Sequence, residues 1–312
     1  MDSISVFAPA SVANVSCGFD ILGFCLNDVG DRFHIKRTNE PGLRFTSIIG
    51  QALPTDPKKN VAGIAALALL DDYPTEGGFD ITLKKGIKPG SGIGSSSASA
   101  VGVVHALNEL LKLGLSKKQL LPYAIAGESY ASGAAHADNI APALLGGFTL
   151  VRSVEPMDVI QLPVPKDLCV AVIHPQIELK TAEARAVLSP TVNFKDSIYQ
   201  SANLGALVSG LYTSDYELIK RSLVDVLVEP KRAPLIPHFE TVKKEALTHG
   251  ALGAGISGAG PSIFALTKGL DSAKQVAQAM GAVFSNTNIP YDIIASAINT
   301  EGTILTDTHE IL

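Results

Sequence analysis

The sequence predicts an α+β protein of two domains, with the boundary between residues 155 and 156. In the first half, short segments of alternating apolar and polar residues are followed by alanine- and leucine-rich segments with helical spacing. In the second half, once inserted helices are set aside, the order is βαββαβ, which is the plan of a ferredoxin-like domain. A proline-rich stretch at 156–165 separates the halves and is typical of a domain border.

Hydrophobic periodicity locates the elements of the first half. Asn60 is a suitable N-cap for an alanine- and leucine-rich helix at 61–70. The S-x-x-Q form of residues 116–119 indicates a capping box, which opens a helix that carries Glu128 near its end. Alternating or continuous apolar residues predict strands at 3–8, 32–37, 79–84 and 148–151.

The second half begins with a continuously apolar strand that Pro175 ends. The segments after it alternate between apolar runs of strand length and stretches with helical spacing. The predicted strands are 168–173, 252–256, 262–266 and 291–297, and the predicted helices are 215–228, 237–249 and 271–284.

The composition favours a compact globular protein and argues against several classes of function. Hydrophobic residues make up 46% of the 312 residues and charged residues only 18%, below the usual share of about 25%. The net charge of -5 gives no general attraction to nucleic acid or to an anionic membrane. No apolar run approaches the roughly 18 residues that span a bilayer, and no leader pattern is present. We expect a cytoplasmic protein without nucleic-acid or membrane partners, and the composition leaves a homodimer open.

Cysteine usage agrees with a reducing compartment. Cys17, Cys25 and Cys169 are odd in number and lack CxxC spacing. This pattern suits free thiols in a cytosol better than a disulfide framework or a zinc site.

A glycine- and serine-rich loop joins the strand at 79–84 to a helix whose apolar residues recur until Gly114. Free backbone N–H groups and the positive end of the helix dipole face an incoming anion at such a point. The loop has neither the GKS or GKT end of a Walker A motif nor dinucleotide-binding spacing. It predicts a polyphosphate site, and the alternative is an ordinary turn before a serine-capped helix. The candidate residues are Pro89, Gly90, Ser91, Gly92, Ile93, Gly94, Ser95, Ser96, Ser97, Ala98 and Ser99.

This loop resembles the PxxxGLGSSAA signature of the GHMP kinases. The resemblance implies an N-terminal domain with a left-handed βαβ unit, a C-terminal ferredoxin-like domain, and a loop that wraps the phosphates of ATP. It also implies that Ser96 and Glu128 hold Mg²⁺, an ion that prefers one or two protein oxygens beside phosphates and waters. The alternative for Glu128 is an exposed helix residue with an ordinary surface contact.

Residues 132–148 resemble the H-x-D-N-x-A-P…G-G segment of the GHMP kinases that phosphorylate homoserine. The resemblance implies that His136 binds substrate and that Asn139 orients its hydroxyl group. Asp138 is a further catalytic candidate whose role stays open, since a carboxylate here can act as a base or fix the loop backbone.

Residues 8–23 resemble the opening block of the same enzymes, with Ser16 in place of the family's glycine. The resemblance implies that Asn14 and Asp20 bind polar groups of the substrate. An aspartate is well suited to an ammonium group, and the alternative for Asp20 is a turn-capping residue.

Two arginine-containing blocks, 180–185 and 229–237, also resemble those of the homoserine-phosphorylating enzymes. Only arginine offers a rigid fork for a carboxylate. The resemblance implies that Thr181, Arg185 and Arg232 hold the substrate, and that Arg185 also helps to orient its hydroxyl. Without it, each arginine would be interpreted as a surface salt-bridge partner.

The glycine-rich block 253–262 resembles the third GHMP motif, in which Gly258 approaches the substrate. Together the blocks imply ATP-dependent phosphorylation of the side-chain hydroxyl of L-homoserine to O-phospho-L-homoserine, a step of threonine biosynthesis. The cofactors would be ATP and Mg²⁺. Two alternatives are a GHMP kinase for another small alcohol, such as mevalonate, and a non-catalytic ligand-binding relative.

Overall fold

A seven-stranded mixed sheet organises the first half of the chain. The computed structural model describes residues 2–133 and 136–307. The sheet has the order β11-β1-β2-β4-β3, and β5 extends it by pairing with β2 and with β6. Its strands are β1 (Ser3–Ala13), β2 (Leu22–Thr38), β3 (Gly42–Ile49), β4 (Gly78–Lys84), β5 (Phe148–Val154), β6 (Met157–Leu162) and β11 (Ile304–Leu305).

Four helices pack against this sheet and against one another: α1 (Val61–Asp72), α2 (Ser95–Leu111), α3 (Lys117–Ser132) and α4 (Ala137–Leu145). Asn60 caps α1 as predicted, because its side-chain oxygen accepts a 3.0 Å hydrogen bond from the N–H of Ala62. The strands β3 and β4 are parallel and α1 connects them. A βαβ crossover therefore lies where the family resemblance implies one.

Several details of the first half differ from the sequence prediction. The strands β1 and β2 are longer than predicted, because they continue to pair past a register shift between Pro9 and Ser11. The helix α2 ends before Gly114, since Lys112 already adopts the left-handed conformation that closes it. The strand β3 was not predicted.

The second half has the predicted ferredoxin-like arrangement. Its four-stranded sheet has the order β10-β7-β9-β8, and every neighbouring pair is antiparallel. The elements are β7 (Leu168–Pro175), α9 (Phe239–Thr248), β8 (Gly253–Ile256), β9 (Ile263–Lys268), α10 (Leu270–Ala282) and β10 (Tyr291–Ala297).

Both faces of β7 are buried, and successive side chains of this strand point to opposite faces. Ala171 and Ile173 of β7 pack with α9 and α10. Val170 and Val172 join the hydrophobic cluster of the first half. Phe264 of β9 belongs to that cluster too, and its ring lies 6.1 Å from that of Phe24 on β2. The two halves therefore share a continuous apolar contact.

The connection between β7 and α9 contains more helices than the sequence predicted. They are α5 (Thr181–Ala186), α6 (Phe194–Thr213), α7 (Tyr216–Ser222) and α8 (Glu229–Arg232). The predicted helix 215–228 is wrong in its second part, which lies outside α7. There the carboxylate of Asp225 accepts hydrogen bonds from the N–H groups of Leu227, Val228 and Glu229, and this turn replaces helical bonding.

Strand pairing places the border between the two halves after residue 155. The strand β6 pairs with β5, and β11 returns the chain to pair with β1. The boundary between 155 and 156 is thus a proposal about folding units, and sheet pairing favours a position between β6 and β7. Within residues 2–133 and 136–307, none of the helices combines the length and apolar character needed to cross a membrane.

The shared apolar contact predicts a large stability effect for Phe264, which is fully buried. Phe264→Ala should lower the free energy of unfolding by about 3–5 kcal/mol, because it removes a large side chain from a packed core. Urea unfolding monitored by circular dichroism measures this change. Phe194→Ala is the matched control, since Phe194 is 80% exposed, and equal losses in both variants would contradict the role of the contact.

Candidate active site

A cavity of about 350 Å³ lies between the two halves of the molecule. Its wall brings together residues that the sequence spreads from position 14 to position 260. Every predicted substrate and metal residue lines it, and so does most of the glycine-rich loop. The predicted residues on the wall are Asn14, Asp20, Pro89, Gly90, Gly92, Gly94, Ser95, Ser96, Ser97, Ser99, Glu128, His136, Asp138, Asn139, Thr181, Arg185, Arg232 and Gly258.

The start of α2 is open toward this cavity. Gly94 adopts a left-handed conformation with φ of +71°, and no side chain caps the helix. A capping serine would have occupied the first-turn N–H groups, whereas here they stay available to an anion. A Cβ atom at Gly94 would lie 2.0 Å from the Oγ of Ser11, so only glycine fits at this position.

Three predicted loop residues face away from the cavity. Ser91 and Ile93 are buried in the protein, and Ala98 is buried within α2. The carbonyl groups of Ser91 and Gly92 accept hydrogen bonds from the side chains of Ser262 and Ser257, at 2.6 and 2.7 Å. These residues shape the loop against the second half, and their side chains do not line the wall.

Glu128 projects from α3 toward the first turn of α2. Ser97 Oγ donates a 3.0 Å hydrogen bond to its carboxylate, and Ser96 hydrogen-bonds the same group. Burial raises the pKa of Glu128, while the two serines and the charge of Lys85 oppose this shift. The surface alternative for Glu128 is wrong, because only 7% of the residue is exposed.

Asp138 and Asn139 lie in the first turn of α4. Ser11 Oγ donates a 2.8 Å hydrogen bond to the side-chain oxygen of Asn139, which fixes the orientation of that amide. Asp138 is almost fully buried, and burial together with the negative charge of Asp20 raises its pKa to about 7. Backbone N–H groups at Asp138 and Asn139 hydrogen-bond its carboxylate and oppose this shift.

Opposite charges meet at the other end of the cavity. Arg185 of α5 forms a salt bridge with Asp20, and its Nη1 lies 3.2 Å from Oδ2 of that carboxylate. His136 Nδ1 lies 3.6 Å from the other carboxylate oxygen. Burial lowers the pKa of His136, since desolvation outweighs the attraction of Asp20.

Arg232 is buried and held by backbone carbonyl groups. Its Nε donates to the carbonyl of Ala184 at 2.8 Å, and its Nη1 donates to that of Gly258 at 3.2 Å. The Gly258 carbonyl also accepts a 2.7 Å hydrogen bond from Asn14. The surface alternative is therefore wrong for Arg232, and Gly258 contributes a backbone acceptor.

Ser16, which stands where the family has a glycine, lies in the turn that presents Asp20. Asn14, Ser16 and Asp20 all have positive φ, between 49° and 58°. The side chain of Asn14 accepts a 2.8 Å hydrogen bond from the N–H of Asp20 and closes the turn. Ser16 thus occupies a conformation that favours glycine, and the substitution leaves the turn in place.

Two family models match the chain. The model of the GHMP kinases N terminal domain covers residues 60–147, and that of the GHMP kinases C terminal covers residues 207–286. The chain belongs to the GHMP kinase family. Both matched segments contribute to the cavity wall, through the glycine-rich loop in the first and the 253–262 block in the second.

Relatives of this GHMP kinase match along almost its whole length. A homoserine kinase from Chlorobium phaeobacteroides is 46% identical over 97% of this chain and 99% of its own. The crystal structure of a homoserine kinase from Cytophaga hutchinsonii superposes with a TM-score of 0.95, at 47% identity and 98% coverage of both chains. An L. major mevalonate kinase has the same fold, with a TM-score of 0.73 at 17% identity over 95% of each chain.

Sequence reasoning missed several residues of the cavity wall. One missed part is the segment before and at the start of α1, where Leu53, Pro54, Lys59, Asn60 and Val61 line the wall. The sequence identified Asn60 only as a helix cap, and nothing local signals a second role. Two further residues were missed: Leu179, and Lys85, which follows the last residue of β4 and pairs with a distant aspartate.

Proposed function

We propose that this GHMP kinase phosphorylates the side-chain hydroxyl of L-homoserine with ATP and forms O-phospho-L-homoserine for threonine synthesis. One observation carries the proposal: a single cavity holds an uncapped helix start and, beyond it, an unlike pair of charges. The first suits a triphosphate, and the second suits an amino acid. The relatives named homoserine kinase support it further.

The nucleotide would occupy the part of the cavity nearer α1. Leu53, Pro54 and Val61 supply apolar surface for a base, and Lys59 and Asn60 supply polar groups. The phosphates would lie against the N–H groups of the first turn of α2 and the glycines before it.

The residues around Glu128 fit a magnesium ion. A buried carboxylate beside two serine hydroxyls provides hard oxygen ligands close to the phosphate site. Among the described residues no group of three or more His, Cys, Asp or Glu side chains could hold a metal. We assign the ion to Glu128 and Ser96, with Ser97 beside them, and nucleotide phosphates completing its shell. When bound, Mg²⁺ neutralises charge on the phosphates.

The two charged groups of homoserine would pair with Asp20 and Arg185, in place of the salt bridge between these side chains. Its ammonium group matches Asp20, and its carboxylate matches Arg185 with the Thr181 hydroxyl nearby. Arg232 adds positive charge, but two backbone carbonyls fix its position. The hydroxyl group would then lie toward Asn139, which Ser11 holds in place.

The chemistry that this arrangement supports is positioning and electrostatic stabilisation. Asn139 and Arg185 orient the hydroxyl toward the phosphate, and the first-turn amides of α2 stabilise charge on the transferred group. We assign a structural role to Asp138, because its buried carboxylate already accepts backbone hydrogen bonds at the start of α4. We place the enzyme in the cytoplasm, which agrees with three free and buried cysteines.

A coupled assay of ADP release tests the activity directly. Homoserine should support turnover far better than mevalonate or galactose, because neither of these carries an ammonium group for Asp20. Turnover with mevalonate but not homoserine would favour the other small-alcohol kinases. Binding of both ATP and homoserine without ADP release would indicate a non-catalytic relative.

Glu128→Gln should lower kcat by at least about 100-fold, because the variant loses the charged ligand of the magnesium ion. Ser96→Ala should have a smaller effect in the same direction. Homoserine affinity, measured by calorimetry, should stay unchanged in both. Glu217→Gln, at an exposed site on α7, is the control, and an equal loss of homoserine binding would refute the metal assignment.

Arg185→Ala should raise the KM for homoserine about 10- to 100-fold, since hydrogen bonds to charged groups contribute roughly 1.5–3 kcal/mol. The KM for ATP should change little, because Arg185 lies at the other end of the cavity. Arg152→Ala removes an exposed arginine that pairs with Asp158 and serves as the control. A change confined to ATP would contradict the placement of the substrate carboxylate.

The pH profile separates two roles of Asp138. Its carboxyl is neutral below about pH 7, so an enzyme that used it as a base would lose kcat/KM as the pH falls through 7. We expect Asp138→Asn to keep at least about a tenth of kcat, since general-base removal costs about 100-fold or more. A larger loss, together with disappearance of the acid limb, would identify Asp138 as the base.

A further inference from the structure

A buried ion pair lies directly beneath the phosphate loop. Lys85 follows the last residue of β4, and its ammonium group contacts the carboxylate of Asp31 on β2. The side chains are 2% and 0% exposed. Desolvation of both charges offsets most of their attraction, so a pair of this kind is a poor source of stability. The other hydrogen bonds of Lys85 and Asp31 indicate a role apart from stability.

Asp31 holds the chain where the loop begins. One of its carboxylate oxygens accepts hydrogen bonds from the N–H groups of Gly86 and Ile87, at 3.1 and 3.3 Å. Its other oxygen accepts a 2.9 Å hydrogen bond from Ser99 Oγ, which belongs to α2 after the loop. A single carboxylate thus binds both ends of the loop.

Lys85 holds the chain where the loop ends. Its ammonium group donates to the carbonyl of Ser95 at 2.6 Å and to Ser99 Oγ at 2.9 Å. Ser95 Oγ in turn donates to the carbonyl of Ile87 at 3.0 Å. These bonds fix the separation between the end of β4 and the first turn of α2.

The donors of Lys85 are all engaged by protein atoms. An ammonium group has three N–H donors, and Asp31, Ser95 and Ser99 accept them. The side chain lines the cavity but has no further proton for a phosphate oxygen. Lys85 therefore differs from the lysine of a Walker A loop, which reaches the nucleotide directly.

We infer that Lys85 and Asp31 are positioning residues that fix the span of the loop and so the direction of the amides at the start of α2. The inference rests on the proposed nucleotide site, and it assigns no ligand contact to either charge. An amide hydrogen bond weakens steeply as its angle departs from linear. Loss of the pair should therefore weaken nucleotide binding and leave the homoserine end of the cavity unaffected.

Single variants test this inference through nucleotide affinity, measured by calorimetry with ADP. Lys85→Met and Asp31→Asn should each raise the Kd for ADP at least about tenfold. The KM for homoserine should stay within about twofold of the wild-type value. Asp80→Asn is the matched control, because Asp80 lies on the same sheet and pairs with Arg44 at 2.8 Å; it should change neither quantity.

A double variant separates positioning from stability. Lys85→Met combined with Asp31→Leu removes both buried charges, a change that is often neutral or stabilising for a fold. We expect a melting temperature above those of the single variants, each of which leaves one buried charge unpaired, and a Kd for ADP still raised at least about tenfold. Wild-type ADP affinity in this variant would overturn the inference, as would equal losses of ADP and homoserine binding in the single variants.

These measurements also distinguish the two proposals. Failure of the wild-type protein to phosphorylate homoserine, with ADP binding intact, would reject the proposed function. The ADP affinities of the variants would still decide the role of the ion pair.

Discussion

A helix can bind a triphosphate only if the N–H groups of its first turn lack partners and point at the ligand. This chain meets that requirement at Ser95, where left-handed Gly94 replaces a capping side chain. The neighbouring carbonyls turn away from the cavity, toward the hydroxyls of Ser257 and Ser262 in the second half. Since the N–H and C=O of a trans peptide point in opposite directions, the second half helps to aim the amides of the first.

Two side chains of opposite charge, Asp20 and Arg185, meet in the other part of the cavity. Asp20 and Arg185 satisfy each other in the free protein, so a ligand gains little by meeting only one of them. A molecule with both an ammonium and a carboxylate group leaves neither side chain without a partner. A singly charged alcohol leaves one buried or half-buried charge uncompensated, which carries a cost. On the proposed placement of homoserine, selectivity for an amino acid would follow from this pair, while backbone contacts hold Arg232 in place.

Local patterns predicted most of this molecule, and the failures have physical reasons. The loop, the βαββαβ order and the cap at Asn60 are properties of neighbouring residues. The helix α6 was missed because apolar residues such as Phe194 and Ile198 face solvent and blur its amphipathic pattern. The partners Lys85 and Asp31 are separated by 54 residues, and no local pattern signals such a contact. The residues that line the cavity were predicted as a set only because the family resemblance joined distant blocks.

The two-sided burial of β7 limits how this kinase can exclude water from its reaction. Rotation of the halves about a hinge would expose Val170, Val172 and Phe264 to solvent. A rigid body is therefore the natural description of the two sheets. The short helix α5, which carries Thr181 and Arg185, is by contrast mostly exposed and is linked to Arg232 through the carbonyl of Ala184. Burial on both faces of β7 therefore makes a hinge between the sheets costly, and α5 is the part of the cavity wall where a change of backbone exposes the least apolar surface.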